Sequence, residues 1–160
     1  MMRTQPIRVA SKAFGQGTPI PPIYTCDGQN VSPDIEWEDV PPGTKSIAMT
    51  CTDPDAPGKT FIHWVIYNIP PAIRSLPQKF SKAESFPDGT RQGINDFGKI
   101  GYGGPCPPAG THRYHFTVYA LNTSGLPGGL NGAGLMAAMR GRVLTTGDLL
   151  GTYTRAMRTR

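Results

Sequence analysis

The sequence predicts a mainly β fold, an antiparallel β-sandwich with a short C-terminal helical segment. Three observations carry that prediction. KSIAMTCTD and THRYHFTVYAL alternate apolar and polar residues at period two, the pattern of strands with one buried face. FIHWVIYNIP is a nearly continuous apolar run between Gly58 and Pro70, as expected of a central strand covered on both faces. The connecting segments are rich in turn formers, with 20 glycines and 17 prolines among 160 residues. That content stays below the low-complexity range, and the apolar segments are regularly patterned. The length suits one domain with a sizeable core, so residues 1–160 are read as a single domain.

Taken in order, Ile7 and Val9 mark a short first strand, followed by a loop with Gly15, Gly17, Pro19, Pro21 and Pro22. TCDGQNVSPDIEW holds the turn signals Asp27-Gly28 and Ser32-Pro33 before a brief alternating stretch at Ile35 and Trp37. PPGTK is a turn. In the next strand Ile47, Met49, Cys51 and Asp53 share one face, so an acidic side chain continues an apolar row at the strand's end. In the run that follows, strict alternation places Phe61, His63, Val65, Tyr67 and Ile69 on one side. Residues 70–100 are polar and punctuated. A loop of that length is either functional or built around its own packing. GYGGPCPPAG, residues 101–110, is a rigid loop leading into a strand whose His112, Tyr114, Phe116 and Val118 face one way. Residues 131–156 carry apolar residues at helical spacing, with breaks at Gly141 and Gly147.

Charge and cysteine usage narrow the function. The formal net charge is +5, and Arg140, Arg142, Arg155, Arg158 and Arg160 supply much of the excess. No element able to read bases accompanies them, so they are read as a solvated face and nucleic acid is not an expected partner. No apolar run reaches the roughly 20 residues of a membrane helix, and MMRTQPIRVASKAF lacks a signal-peptide core. Stable membrane insertion is therefore not expected, and the cytosol is the default location. Cys26, Cys51 and Cys106 show no metal-binding spacing. Cys26 and Cys106 both lie in loops, which is compatible with a bond between them, but reduced thiols are expected in a cytosolic protein.

Polar groups at strand ends are the unusual feature. Asp53 and Asp55 lie in the turn DPDAP, His63 stands inside an apolar run, and His112 with Tyr114 opens a strand after a Gly/Pro loop. In antiparallel neighbours one strand's end lies beside the next one's start, so these groups can meet at one rim. Carboxylates, imidazoles and a phenol there suit a small anion. Asp53 is expected to accept a hydrogen bond from the O–H of a phosphate monoanion or to hold His63 as a cation. The amides of Gly103 and Gly104 are expected to cradle oxygens. A ligand ammonium would suit the aspartates. Replacing Asp53 is expected to affect binding more than stability, since a strand-end polar group contributes little packing.

TCDGQNVSP, DPDAP, HWVIYNIP and GYGGPCPPAGTHRYHFTVYAL together resemble the phosphatidylethanolamine-binding protein family in its prokaryotic Raf-kinase-inhibitor-like branch. The resemblance runs from about Ile7 to Tyr153. It implies a β-sandwich with a pocket for phosphate, acetate or a phosphorylated headgroup. Carried over residue by residue, that pocket comprises Asp53, Asp55, His63, Gly104, Pro105, His112 and Tyr114. It also implies partners of two kinds, protein kinases and serine proteases, and a homodimer.

The expected function is a non-enzymatic binder of a small anion or phosphorylated ligand that modulates a kinase or another partner, with no cofactor. Inhibition of serine proteases through the 101–110 loop is the first alternative. The second is a metal-dependent hydrolase using His63, His112 and Asp53 as ligands, although their spacing matches no known metal signature.

Overall fold

The structure is a computed structural model describing residues 5–155; the basic residues Arg158 and Arg160 lie outside the described residues. Its strands are β1 (Arg8–Ala10), β2 (Thr18–Pro19), β3 (Ile35–Glu38), β4 (Ser46–Asp53), β5 (Phe61–Ile69), β6 (Ser75–Leu76), β7 (Arg91–Gln92), β8 (Thr111–Leu121) and β9 (Val143–Thr154). A 3-10 turn at Pro22–Tyr24 and one helix, α1 (Gly132–Met139), complete the described elements. A small sheet has the order β1-β3-β6, and a larger one the order β2-β9-β8-β4-β5-β7. Pairing is antiparallel except at the edge, where β2 runs parallel to β9.

Apolar side chains set the layers. Ile35 and Trp37 of the small sheet face Ile47, Met49, Trp64, Ile66, Phe116 and Val118 of the large one in a single buried cluster. Burying a large apolar side chain contributes roughly 1.5–3 kcal/mol, which is why the alternation seen in β4 and β8 decides their orientation. The other face of the large sheet is covered too. Val65 and Tyr67 pack there against Leu135 and Met139 of α1. The helix starts at Asn131, whose Oδ1 accepts the Gly134 N–H at 2.8 Å.

Three features differ from the sequence reading. First, the helical pattern over 131–156 resolves into one short helix and a long strand. Val143–Thr154 pairs with β8 along its length. Gly147 is no helix break; it lies where the chain crosses Ile7, and a Cβ there would stand 1.9 Å from the Ile7 carbonyl oxygen. Second, β5 does not alternate simply. Met49 pairs with Ile66 but Ile47 with Ile69, and Cys51 pairs with Trp64 but Thr52 with Ile62. At each step β5 spends one residue more than β4, so it carries two bulges. Asn68 adopts φ 57° at one of them. Ile69 therefore joins Trp64 and Ile66 on the inner face, leaving Val65 and Tyr67 on the outer. Third, Cys26 and Cys106 form a disulfide across 80 residues of sequence, and Cys51 is the free thiol, buried.

The long segment 70–100 is organised around Gln92. Its Oε1 accepts the Trp64 indole N–H at 2.7 Å, while its Nε2 donates to the carbonyls of Ser81 and Ala83. No helix among the described residues is long and apolar enough to cross a membrane.

Candidate functional site

Asp53 is the last residue of β4, and His112 is the second of its neighbour β8. The antiparallel pairing brings them together at one end of the core. His63 arrives there through the first bulge of β5. Strict alternation would have placed it with Val65 and Tyr67, toward the helix. Instead its ring lies 5.4 Å from that of Tyr114, on the inner side. The bulge thus re-aims the imidazole.

These four residues line a cavity of about 100 Å³, closed by Phe61, Phe97 and the Cys106–Pro108 turn. Pockets for drug-sized ligands hold roughly 300–1,000 Å³, so this cavity has room only for a small polar group. Asp53 and His112 are 3% and 6% exposed. His112 Nδ1 donates to Asp53 Oδ2 at 2.6 Å, and the Asp55 amide donates to Asp53 Oδ1 at 2.8 Å. The carboxylate thereby fixes the orientation of the imidazole and leaves its Nε2 as the remaining polar atom.

His63 behaves differently from the cation expected. Its Nδ1 lies 2.7 Å from the Gly103 carbonyl oxygen. A carbonyl only accepts, so Nδ1 carries the proton. Burial lowers its pKa below the ordinary histidine value, outweighing the bond to Gly103. The ring is neutral at pH 7, with a lone pair on Nε2, and Asp53 is paired with the other histidine. Tyr114 is fully buried; its hydroxyl makes no hydrogen bond within 3.5 Å, and the nearest polar group it can donate to is the Asp53 carboxylate. Burial, together with the nearby Asp53 carboxylate, raises its pKa far above the ordinary phenol range, so it remains a donor.

The other expected residues lie outside this lining. Asp55 accepts from the Arg113 amide at 2.8 Å and clasps its guanidinium at 2.9 and 2.8 Å. That partner holds its carboxyl at about pKa 2. The glycine amides form no cradle: Gly103 N–H donates to the His63 carbonyl and Gly104 N–H to Asn30 Oδ1. Gly104 is required by close approach, since a Cβ would stand 2.3 Å from the Tyr24 carbonyl oxygen. Pro105 is buried, and its carbonyl accepts the Cys26 amide. Among the described residues no three His, Cys, Asp or Glu side chains converge as a metal site would require, so Asp53, His63 and His112 are not a ligand triad. Phe61, Phe97 and the Cys106–Pro108 turn were not among the residues expected to line the pocket. Phe97 was legible only as an isolated aromatic in a polar loop.

A family model described as phosphatidylethanolamine-binding protein matches residues 10–154. The UPF0098 protein of Aquifex aeolicus is 48% identical over 153 residues, covering 93% of this chain and 89% of the relative. Among solved structures, Escherichia coli YbcL, described as a new member of the mammalian family, superposes with TM-score 0.87 at 34% identity. That match covers 95% of this chain and 100% of YbcL. A Chlamydia trachomatis homologue of the phosphatidylethanolamine-binding protein gives TM-score 0.85 at 37% identity, covering 94% and 99% of the two chains.

Proposed function

Because the chain belongs to the phosphatidylethanolamine-binding protein family, we propose that the cavity between Asp53, His63, His112 and Tyr114 holds the phosphoryl group of a small ligand or of a phosphorylated partner such as a protein kinase. The observation that carries this reading is the convergence of the buried Tyr114 hydroxyl and two imidazoles on one small cavity, the hydroxyl making no hydrogen bond within 3.5 Å although Asp53 lies close by. A buried unpaired donor costs roughly 1–3 kcal/mol, and an anion would recover that cost. The neutral His63 Nε2 is an acceptor, and it complements the O–H of a phosphate monoanion or the N–H of a ligand ammonium. Asp53 is already bonded to His112, so its part is to hold that ring in place.

We read the chain as a non-enzymatic regulator. Protease inhibition through the 101–110 loop is the weaker reading: Gly101, Tyr102, Gly104, Pro105 and Pro107 are buried, which leaves Pro108, Ala109 and Gly110 as the exposed residues a protease cleft could meet. The cytosolic setting expected from the sequence sits poorly with the disulfide, which persists in oxidising surroundings; the proposal concerns the oxidised form.

Isothermal titration with phosphoethanolamine and inorganic phosphate tests the reading. Tyr114→Phe removes a hydroxyl whose one protein contact is a long one to Asp53, so its melting temperature should stay close to the wild type. Its affinity should fall about tenfold or more, the worth of a hydrogen bond to a charged group. No heat with the wild type, or equal affinity for the variant, would sink the assignment.

A further inference from the structure

A second cavity of about 150 Å³ adjoins the first, and Phe97 lines both. Gly103 completes the shared wall: its carbonyl bonds His63 on one side, and its backbone lines the second cavity on the other. A Cβ on Gly103 would strike the Phe97 ring at 2.5 Å, so the partition is tightly packed.

The chemistry of the second lining is one-signed. Lys82 and Lys99 are exposed, line the cavity and form no ion pair with a described residue. Asn30 uses its Oδ1 to accept the Gly104 amide, which leaves its Nδ2 donors unengaged. Asn95 is buried and bonded through both ends of its amide: Nδ2 donates to the Gly101 carbonyl, while Oδ1 accepts the amides of Phe97 and Lys99. It fixes the turn that presents Lys99 beside Phe97. No carboxylate belongs to the lining. Two ammonium groups and an amide donor around one concavity form a receptor for an anion.

We propose that the Lys82–Lys99 cavity is a second anion subsite, and that the ligand carries two anionic groups on one short frame, one seated in each cavity across the Phe97–Gly103 wall. The inference rests on the phosphoryl reading of the first cavity. It defines the ligand class as a bisphosphate, or a phosphate ester bearing a carboxylate. A second group on the same molecule binds at high effective concentration, so even weak lysine contacts multiply the affinity. The gain depends on linker length, because a frame too short to pass the wall reaches only one site.

The test is titration with a series of alkanediol bisphosphates of increasing linker length, each against the alkyl monophosphate of equal length. One linker should bind about tenfold tighter than its monophosphate. The Lys82→Ala/Lys99→Ala variant should lose that increment and keep its monophosphate affinity, both lysines being exposed and outside the first lining. A shorter or longer linker should show a smaller gain. If the monophosphates bind but no linker improves on them, or if the gain survives loss of both lysines, the second subsite is wrong and the first stands. If no monophosphate binds the wild type, the first reading falls, and this one with it.

Discussion

His63 shows how one residue's surroundings reverse an expectation built on its type. A histidine near an aspartate reads as a cation. Here the aspartate is bonded to the other histidine, and burial dominates. The folded pKa lies below the unfolded value of about 6.5. Folding therefore favours the neutral ring. Its contribution to stability is complete above about pH 6.5 and declines as the pH falls below that value toward the folded pKa. Urea midpoints should drop between about pH 7 and pH 5, and His63→Gln should flatten part of that slope. A variant with the wild-type slope would show that His63 is not held neutral. Asp53 needs a similar revision. It is buried and bonded to His112 and to the Asp55 amide, so its loss would harm stability as well as binding. Residue identities at the site were legible because aspartate, histidine and tyrosine are conspicuous at strand ends. Their partners were not, since which imidazole meets the carboxylate depends on strand register, and which amides are free depends on where Asn30 reaches.

Among the elements, β8 was readable because one face is buried and the other less so along much of its length, whereas β4 was readable only because small polar residues, Ser46, Thr50 and Thr52, alternate with apolar ones although both of its faces are buried. The other two long segments were less so, for separate reasons. β5 is covered on both faces, so apolar content carried no face information, and its two bulges left no periodic trace. β9 holds Leu149 and Leu150 beside exposed and half-buried residues, with Gly147 resembling a helix breaker and Gly151 following it. Those glycines serve packing. Ile20 and Phe14 lie against Gly151 as the Ile7 backbone lies against Gly147. Gly147→Ala should cost about 1–3 kcal/mol, the range for overpacking a tight contact. Chemical denaturation measures it. A variant as stable as the wild type would mean that β1 shifts freely and that the crossing is not close.

At the scale of the molecule, the sandwich and the covering helix leave one end of the core open, and the site occupies that end. The Cys26–Cys106 bond closes it. Two loops separated by 80 residues are joined, and Cys106 lines the first cavity. Cross-linking a loop of that length contributes about 4–5 kcal/mol by chain entropy, within a measured range of roughly 2–5 for native bonds. Reduction should lower the melting temperature clearly and weaken phosphate binding with it. Unchanged melting after verified reduction would show that the bond is incidental. Three cysteines without a spacing motif could not reveal this pairing, since it depends on two loops meeting in space. The bond also has a practical side. Protein harvested from a reducing expression host and protein matured under oxidising conditions are two different reagents, and a failed binding assay on one says nothing about the other.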